Sequence, residues 1–444
     1  MKMWNWKKSI STILSVLMLT SMVANAQAAT VSQFGDNTSR THNNGISDPN
    51  YWEQAANLTK FTYNGSSLSV TGNSTAMGQG NMLYLPISAA NDSPTGTGYL
   101  TAWDMGNWNQ STNLPTQPWT QYIKGASNSS PLIVNGNVYV AGGGTLYGFN
   151  SSGTPLAQKN GNIAAASPIY QNQVVSHPLY ANSEIWVSSQ NGYLFALDPT
   201  TLARVSATNI GSRMDGSPTL VQSTTGTQYI AVGTASASGN TGGTGTLYLV
   251  SLSGQVVASL PNPAGNSSPI ASAPIWTGGG IAWNDIAGDD IAGDVVWTQF
   301  NGTSFVNTKE WTTGQSGLVT NEEAGYAGGY YILPQTSSDK TEIVNLDGSG
   351  GTVNQFFMNQ DGQNCSGSPE ISANYVYVPD TNGNVNAFPV SSLSSPGSAT
   401  DTIAMAMGYT NLNLTNADEQ SLPAQNGKAM PTLSYLTTSG LQIW

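Results

Sequence analysis

Charge is what this chain has least of. Asp, Glu, Lys and Arg make up 8% of its residues, against about 25% in an ordinary soluble protein. The shortage is lopsided, with 24 acidic residues and 12 basic ones. No basic patch can form to neutralise phosphates, which excludes nucleic acid as a partner. A single cysteine, Cys365, excludes a disulfide framework within the chain, so stability must come from packing. Two histidines and that one cysteine cannot supply a zinc site, and no metal is expected. Beyond the N-terminus no apolar run is long enough to span a bilayer.

The N-terminus is a different kind of segment. Lys2, Lys7 and Lys8 make a basic start, residues 10–23 are apolar, and Ala24-Asn25-Ala26 offers a small-residue cleavage site. Residues 1–29 therefore read as a secretory signal peptide, too short and wrongly flanked for a membrane anchor. No cysteine follows for lipid attachment, so the expectation is a secreted or periplasmic protein. Without the three signal lysines, 9 basic residues face 24 acidic ones, a difference of −15. Solubility then falls to Asn, Gln, Ser, Thr and 49 glycines. A surface built this way suits acid, where carboxylates are neutral and a Lys/Arg-rich surface would repel itself. The alternative is an ordinary secreted or surface protein, many of which are poor in charge.

What the chain has in abundance is one repeated phrase. It reads SPLIVNGNVYVAGGGTLYGFN from Ser130, SHPLYANSEIWVSSQNGYLFALD from Ser176, and SPEISANYVYVPDTNGNVNAF from Ser368. In each, an aromatic (Tyr139, Trp186, Tyr377) falls eight residues after the Pro. A period of roughly 45 residues means one supersecondary unit stacked many times. Short alternating runs separated by Gly and Asn turns make the unit an antiparallel sheet. The fold class is all-β, a β-propeller of four-stranded blades. The blade count reads as eight, with seven as the alternative. Residues 30–444 form one domain, and the 58–70 segment is expected to complete the half-sized last blade. Insertions near 104–124 (with Trp108, Trp119 and Tyr122), 236–245 and 391–428 read as lids or partner contacts, or as packing over the propeller face. An apolar end at Trp444 suggests that the natural chain continues.

These repeats resemble the pyrroloquinoline-quinone-type (PQQ-like) propeller family over nearly all of the mature chain. The opening SQFGDNTSRTHNN, residues 32–44, also resembles that family's first segment. The family includes quinone-dependent alcohol dehydrogenases, outer-membrane assembly scaffolds and acid-active tetrathionate hydrolases. The dehydrogenases set a vicinal cysteine disulfide against their cofactor, which one cysteine cannot form, and there is no haem-attachment CxxCH. No cofactor is expected. The scaffolds are lipoproteins. A secreted, charge-poor propeller looks most like a tetrathionate hydrolase, a resemblance that also suggests a homodimer. The alternative from another class is a non-catalytic propeller binding a protein or polymer at the cell surface.

The repeat also maps a mouth of the central channel, because the Ser-Pro pair starts the innermost strand. The Ser position holds, in blade order, Thr75, Ser130, His177, Ser217, Ala273, Glu322, Ser368 and Met430. His177 and Glu322 break the rule of small neutral residues, and Glu323 follows at the Pro position. Arg213 and Asp215 precede Ser217, and Cys365 precedes Ser368 as Met214 precedes Ser217. Convergent polar groups in a neutral concavity are the natural binding-site reading. The expected substrate is a small anion, tetrathionate. Arg213 and protonated His177 would hold its sulfonates, with Cys365 lining the site. Asp215, Glu322 or Glu323 would be the general acid. Each has a structural alternative: a blade-to-blade hydrogen bond for His177, an Arg213–Asp215 ion pair, a degenerate repeat at Glu322–Glu323, a buried apolar thiol at Cys365. The stretch NDIAGDDIAGD, with Asp285, Asp289, Asp290 and Asp294, does not fit an EF-hand. It reads first as a solvated loop, then as a calcium site or a source of the acid.

Overall fold

The computed structural model describes residues 31–32, 38–40, 60–63, 66–69, 77–88, 97–109, 114–124, 129–142, 144–156, 176–214, 216–234, 245–263, 269–270, 272–285, 294–313, 324–335, 338–353, 355–359, 362, 364–365, 368–379, 385–396, 434–435 and 442–443. These residues form antiparallel sheets following one another along the chain, and the only helical element among them is a single turn at Val390–Ser392. The signal peptide, residues 236–244 of the second insertion and most of 391–428 lie outside the described residues.

The third sheet shows how the repeat makes a blade. Its strands are Leu179–Ala181, Glu184–Ser188, Tyr193–Leu197 and Arg204–Asn209, paired in that order. Alternation sends Ile185, Val187, Phe195 and Leu197 toward the second sheet. It sends Trp186, Leu194 and Ala196 toward the fourth. Side chains alternate with period two, so a strand buried on both faces must be apolar at successive positions. The repeat aromatics Tyr139, Trp186 and Tyr377 are all buried, and Leu179 faces Trp186 in register. Asn182 and Ser183 both have positive φ (53° and 61°), as do Asn135 and Gly136 (52° and 79°). A two-residue hairpin that follows the strand twist needs that conformation at both central positions, which explains the Asn and Gly of the repeat.

The innermost strands stand side by side around an axis. Leu132–Val134 touches Leu179–Ala181, which touches Thr219–Gln222, which touches Ile275–Trp276. Met77–Gln79 of the first sheet touches Leu132–Val134 on one side and Ser434–Tyr435 of the last sheet on the other. First and last sheets therefore meet, as in a closed propeller. On the axial side of the second sheet lies an additional strand, Val31–Ser32, opposite Val134 and Ile133.

Two regions differ from the reading of the sequence. The expected insertion at 104–124 is largely strand: Thr97–Asn109 and Leu114–Lys124 form the outer half of the first sheet. Its aromatics pair across strands, with Tyr99 edge-on to Tyr122 at 5.9 Å and Trp119 tilted against Phe149 at 6.0 Å. The 58–70 segment forms the hairpin Lys60–Tyr63 and Ser66–Ser69, which joins the first sheet where Ser69 lies opposite Ser88. The fifth sheet carries a borrowed strand, Gly351–Val353, running parallel to Phe305–Thr313.

Candidate functional site

Three of the Ser positions, Ser130, His177 and Ser217, meet across the sheet boundaries. The N–H of Ser130 donates to Nδ1 of His177 at 2.8 Å, and the N–H of His177 donates to Oγ of Ser217 at 3.0 Å. Both side chains accept the main-chain N–H of the corresponding residue in the blade before. His177 thus does with a ring nitrogen what Ser217 does with a hydroxyl. It is 3% exposed. An Nδ1 that accepts a hydrogen bond carries no proton, whereas both nitrogens of an imidazolium donate. The protonated His177 expected to hold an anion would have to give up its bond to Ser130.

The main chain at or beside two of these positions is bound by a residue with no sequence motif to mark it. Arg40 is fully buried. Its Nη2 donates to the carbonyls of His177 (3.0 Å) and Pro178 (3.2 Å), and its Nε to the carbonyl of Pro218 (3.2 Å). The planar guanidinium fork suits several acceptors at once. Just before it, the carbonyls of Thr38 and Ser39 accept the N–H groups of Leu220 and Trp276, on the innermost strands of the fourth and fifth sheets.

Of the other expected site residues, Arg213 is half-buried in the turn leading to the fourth sheet. Asp215, Glu322 and Glu323 lie outside the described residues. Cys365 is fully buried in the apolar cluster with Ile332, Phe357, Ile371 and Phe388. Its thiol donates to the carbonyl of Lys340 at 3.4 Å. Its N–H donates to Ser338, just as Met214 donates to Ser189 and Ile270 to Thr234. That shared position is an apolar hook joining one blade to the next, and it places the thiol in the core.

The acidic stretch divides differently from a solvated loop. Asp285 ends the Ile281–Asn284 strand and Asp294 begins the Asp294–Phe300 strand; they are 5% and 3% exposed. Oδ1 of Asp285 accepts the N–H of Asp294 at 2.7 Å. Thr234 and Ser189 accept the corresponding N–H groups of Thr246 and Tyr193, so this half of the job is a hairpin clasp. The other oxygen of Asp285 accepts from the Asn262 amide of the fourth sheet. Burial raises Asp285 to about 7, against the pull of those hydrogen bonds, and the charges of Asp294 and Glu310 add to the rise. Asp294 and Glu310 are raised by burial too, and hydrogen-bond each other. Two carboxyls so joined share a proton. Oδ1 atoms of Asn262 and Asp294 are buried without a hydrogen-bond partner.

On the opposite face of the fifth sheet, toward the sixth, Tyr331 donates to Oδ1 of Asn284 at 2.7 Å. Nearby in register, Glu342 faces Leu333, is raised to about 7 by burial, and bonds Gln335. Neither Glu310 nor Glu342 stood out in the sequence, because each occupies a strand position where the repeat shows no motif. Among the described residues no group of three or more His, Cys, Asp or Glu is disposed to hold a metal ion. The residues do not fit a quinone of the dehydrogenase kind: the one cysteine is a core side chain with no neighbour to bridge.

No protein-family model and no curated protein matches the chain. Solved structures do. The quinohemoprotein alcohol dehydrogenase from Comamonas testosteroni aligns with a TM-score of 0.54 and 12% identity, covering 86% of this chain and 73% of that one. BamB from Moraxella catarrhalis aligns with a TM-score of 0.49 and 16% identity, over 73% and 85% of the two chains. A europium-containing methanol dehydrogenase gives 0.46 and 10%, over 81% and 84%. At these identities, the likeness to the alcohol dehydrogenase shows the fold, a β-propeller, and nothing of the chemistry.

Proposed function

We propose that this propeller is an acid-active, extracytoplasmic hydrolase that cleaves tetrathionate or a related polythionate without a redox cofactor. The observation that supports it is the burial of carboxyls in the wedges between sheets, which raises their pKa values. Asp285 and Glu342 are pushed up to about 7, and Asp294 and Glu310 are raised beside Asp285. Carboxyls whose burial disfavours the charged form are at home where the medium itself keeps them neutral. In such a medium water attacks one sulfur of the S–S bond while a carboxylic acid at the Ser-Pro mouth protonates the thiosulfate leaving from the other; the attacked sulfur keeps the water's OH, and the water's second proton restores the carboxylic acid. Asp215, Glu322 and Glu323 are the candidates, with Arg213 as the cation for a sulfonate. The test is thiosulfate release from tetrathionate near pH 3. Asp215→Asn, Glu322→Gln and Glu323→Gln, made singly, should identify the acid by a drop in rate of about 100-fold or more. No release from the wild type rejects the activity; release that none of the three variants slows rejects the site.

A second reading is a non-catalytic propeller that binds a protein or polymer at the cell surface. One observation favours it. The cation and the imidazole described at this mouth, Arg40 and His177, are both spent on the main chain of neighbouring blades. Arg213, half-buried in the turn leading to the fourth sheet, is the residue on whose substitution the two readings separate. Arg213→Ala should raise the KM for tetrathionate under the first and leave a cell-surface binding activity intact under the second.

A further inference from the structure

We infer that Thr38–Ser39–Arg40 is a strap across the axial mouth, a short piece of chain that binds the inner edges of three neighbouring sheets and opens the mouth when it lets go. Its contacts supply main-chain partners that the innermost strands do not find within their own sheets. The N–H groups of Leu220 and Trp276 point away from their own sheets, toward the axis, and there they find the carbonyls of Thr38 and Ser39 at 2.9 and 3.0 Å. Both belong to innermost strands, which in a propeller otherwise leave an unpaired edge along the channel. The strap supplies the missing partner without belonging to either sheet.

Arg40 anchors it. Three main-chain carbonyls from the third and fourth sheets converge on one guanidinium. They belong to the His177-Pro178 and Pro218 steps, at the start of the innermost strands. Pro178 and Pro218, at the second position of these two repeats, remove an N–H from this part of the rim, so it presents carbonyls, and a planar donor fork is the complement they select. The side chain is 0% exposed, enclosed among the inner edges it joins. Upstream, Val31–Ser32 extends the second sheet on the same axial side.

The strap is also held in an unfavourable backbone shape. Arg40 has φ of 56°, in the left-handed region that a long side chain rarely adopts. Residues in such conformations persist only where surrounding contacts over-determine them. Prominent among those contacts here are the Arg40 hydrogen bonds. Removing them takes away both the anchor and a main reason for the strained turn. The strap should therefore come off as a unit, at a free-energy level below that of unfolding a blade. This inference does not depend on the hydrolase reading, since it concerns what occupies the mouth and not what reacts there.

Native-state amide hydrogen exchange on the full chain tests it. In Arg40→Ala, the amides of Leu220 and Trp276 should exchange at least about tenfold faster than in the wild type, while those of Ile230 and Val232 in the same sheet keep their wild-type rates. If Leu220 and Trp276 keep their protection, the strap does not depend on Arg40 and the inference falls. It also falls if all four amides accelerate together, because Arg40 is then simply part of the global core. Should Arg40→Ala fail to fold, Arg40→Lys, which keeps the charge and loses the fork, is read by the same comparison. Activity toward tetrathionate plays no part in the readout, so failure of the strap and failure of the proposed reaction remain distinguishable.

Discussion

The imidazole of His177 accepts the main-chain N–H of Ser130 through Nδ1 at 2.8 Å, across the boundary between two blades. Ser217 does the same for the N–H of His177 with its hydroxyl. The one histidine among the Ser positions therefore fills the structural role of its neighbours with a longer arm. His177→Ala leaves a buried N–H without an acceptor, which costs about 1–3 kcal/mol. His177→Asn places a carbonyl oxygen near the Nδ1 position and should restore much of the loss. Thermal unfolding of the two variants checks this, and equal midpoints for wild type and His177→Ala would sink it. Side-chain nitrogen NMR should find Nδ1 of His177 without a proton in the folded protein.

A second prediction concerns pH and stability. Asp285 rises from an ordinary 3.8 to about 7 on folding, and Glu342 from 4.5 to about 7. Below the unfolded values both states hold the proton, and the full stability is present. As pH climbs through the window between, the unfolded chain releases protons that the folded one keeps, and stability is lost until the folded groups ionise too. Each pH unit of that separation is worth about 1.4 kcal/mol per group. The protein should be most stable below about pH 4 and lose several kcal/mol by pH 7. Urea unfolding from pH 3 to 8 measures the slope. In Asp285→Asn the slope should flatten, since the amide cannot ionise and still offers one oxygen to the N–H of Asp294. A profile flat or rising between pH 4 and 7 would contradict the assignment.

How much of this was legible beforehand depends on which chemical group did the signalling. The blades were, because a strand buried on both faces must repeat its apolar positions, and the hairpins demanded Asn or Gly at fixed offsets. The neighbourhood of Ser130, His177 and Ser217 was legible too, since equivalent positions of a radial repeat face one axis. Arg40 was not. Its acceptors are main-chain carbonyls 137 and 178 residues away, and a carbonyl leaves no mark in a sequence. The only available sign was an arginine in a stretch otherwise without positive side chains. Asp285 and Asp294 were half legible: their acidity was plain, but strand ends that turn into the wedge between blades look like loop ends when read in one dimension.

Cys365 offers a third prediction. The thiol lies in the core and donates to a carbonyl, so it should resist a thiol reagent in the native protein. Its labelling rate should follow the population of the unfolded form as urea is added, because access requires opening of the sheets around it. Fast labelling in the absence of denaturant would put the thiol at the mouth after all. Cys365→Ser keeps a donor for Lys340 but trades a polarizable, weakly polar atom for a hydroxyl amid Ile332, Phe357 and Ile371. A loss of about 1–2 kcal/mol is expected, with proton-dependent behaviour unchanged.

The closeness of neighbouring blades can be tested without touching any polar group. Gly233 stands near the end of the Gln228–Gly233 strand, directly against Ile270 of the link to the fifth sheet. A methyl group there would collide with the Ile270 side chain and with its carbonyl, and that carbonyl belongs to a residue whose N–H is held by Thr234. The backbone on both sides is thus fixed, and the clash cannot be relieved by rotating a side chain alone. Gly233→Ala should destabilise the protein by about 1–3 kcal/mol through overpacking. The same substitution at Gly136, where no atom lies within 4 Å but φ is 79°, meets open space and a strained backbone instead. Combining Gly233→Ala with Ile270→Ala separates the causes. If crowding is the fault, the double variant should be more stable than the sum of the two single losses allows; simple additivity would mean that the glycine is needed for its backbone and not for the room it leaves.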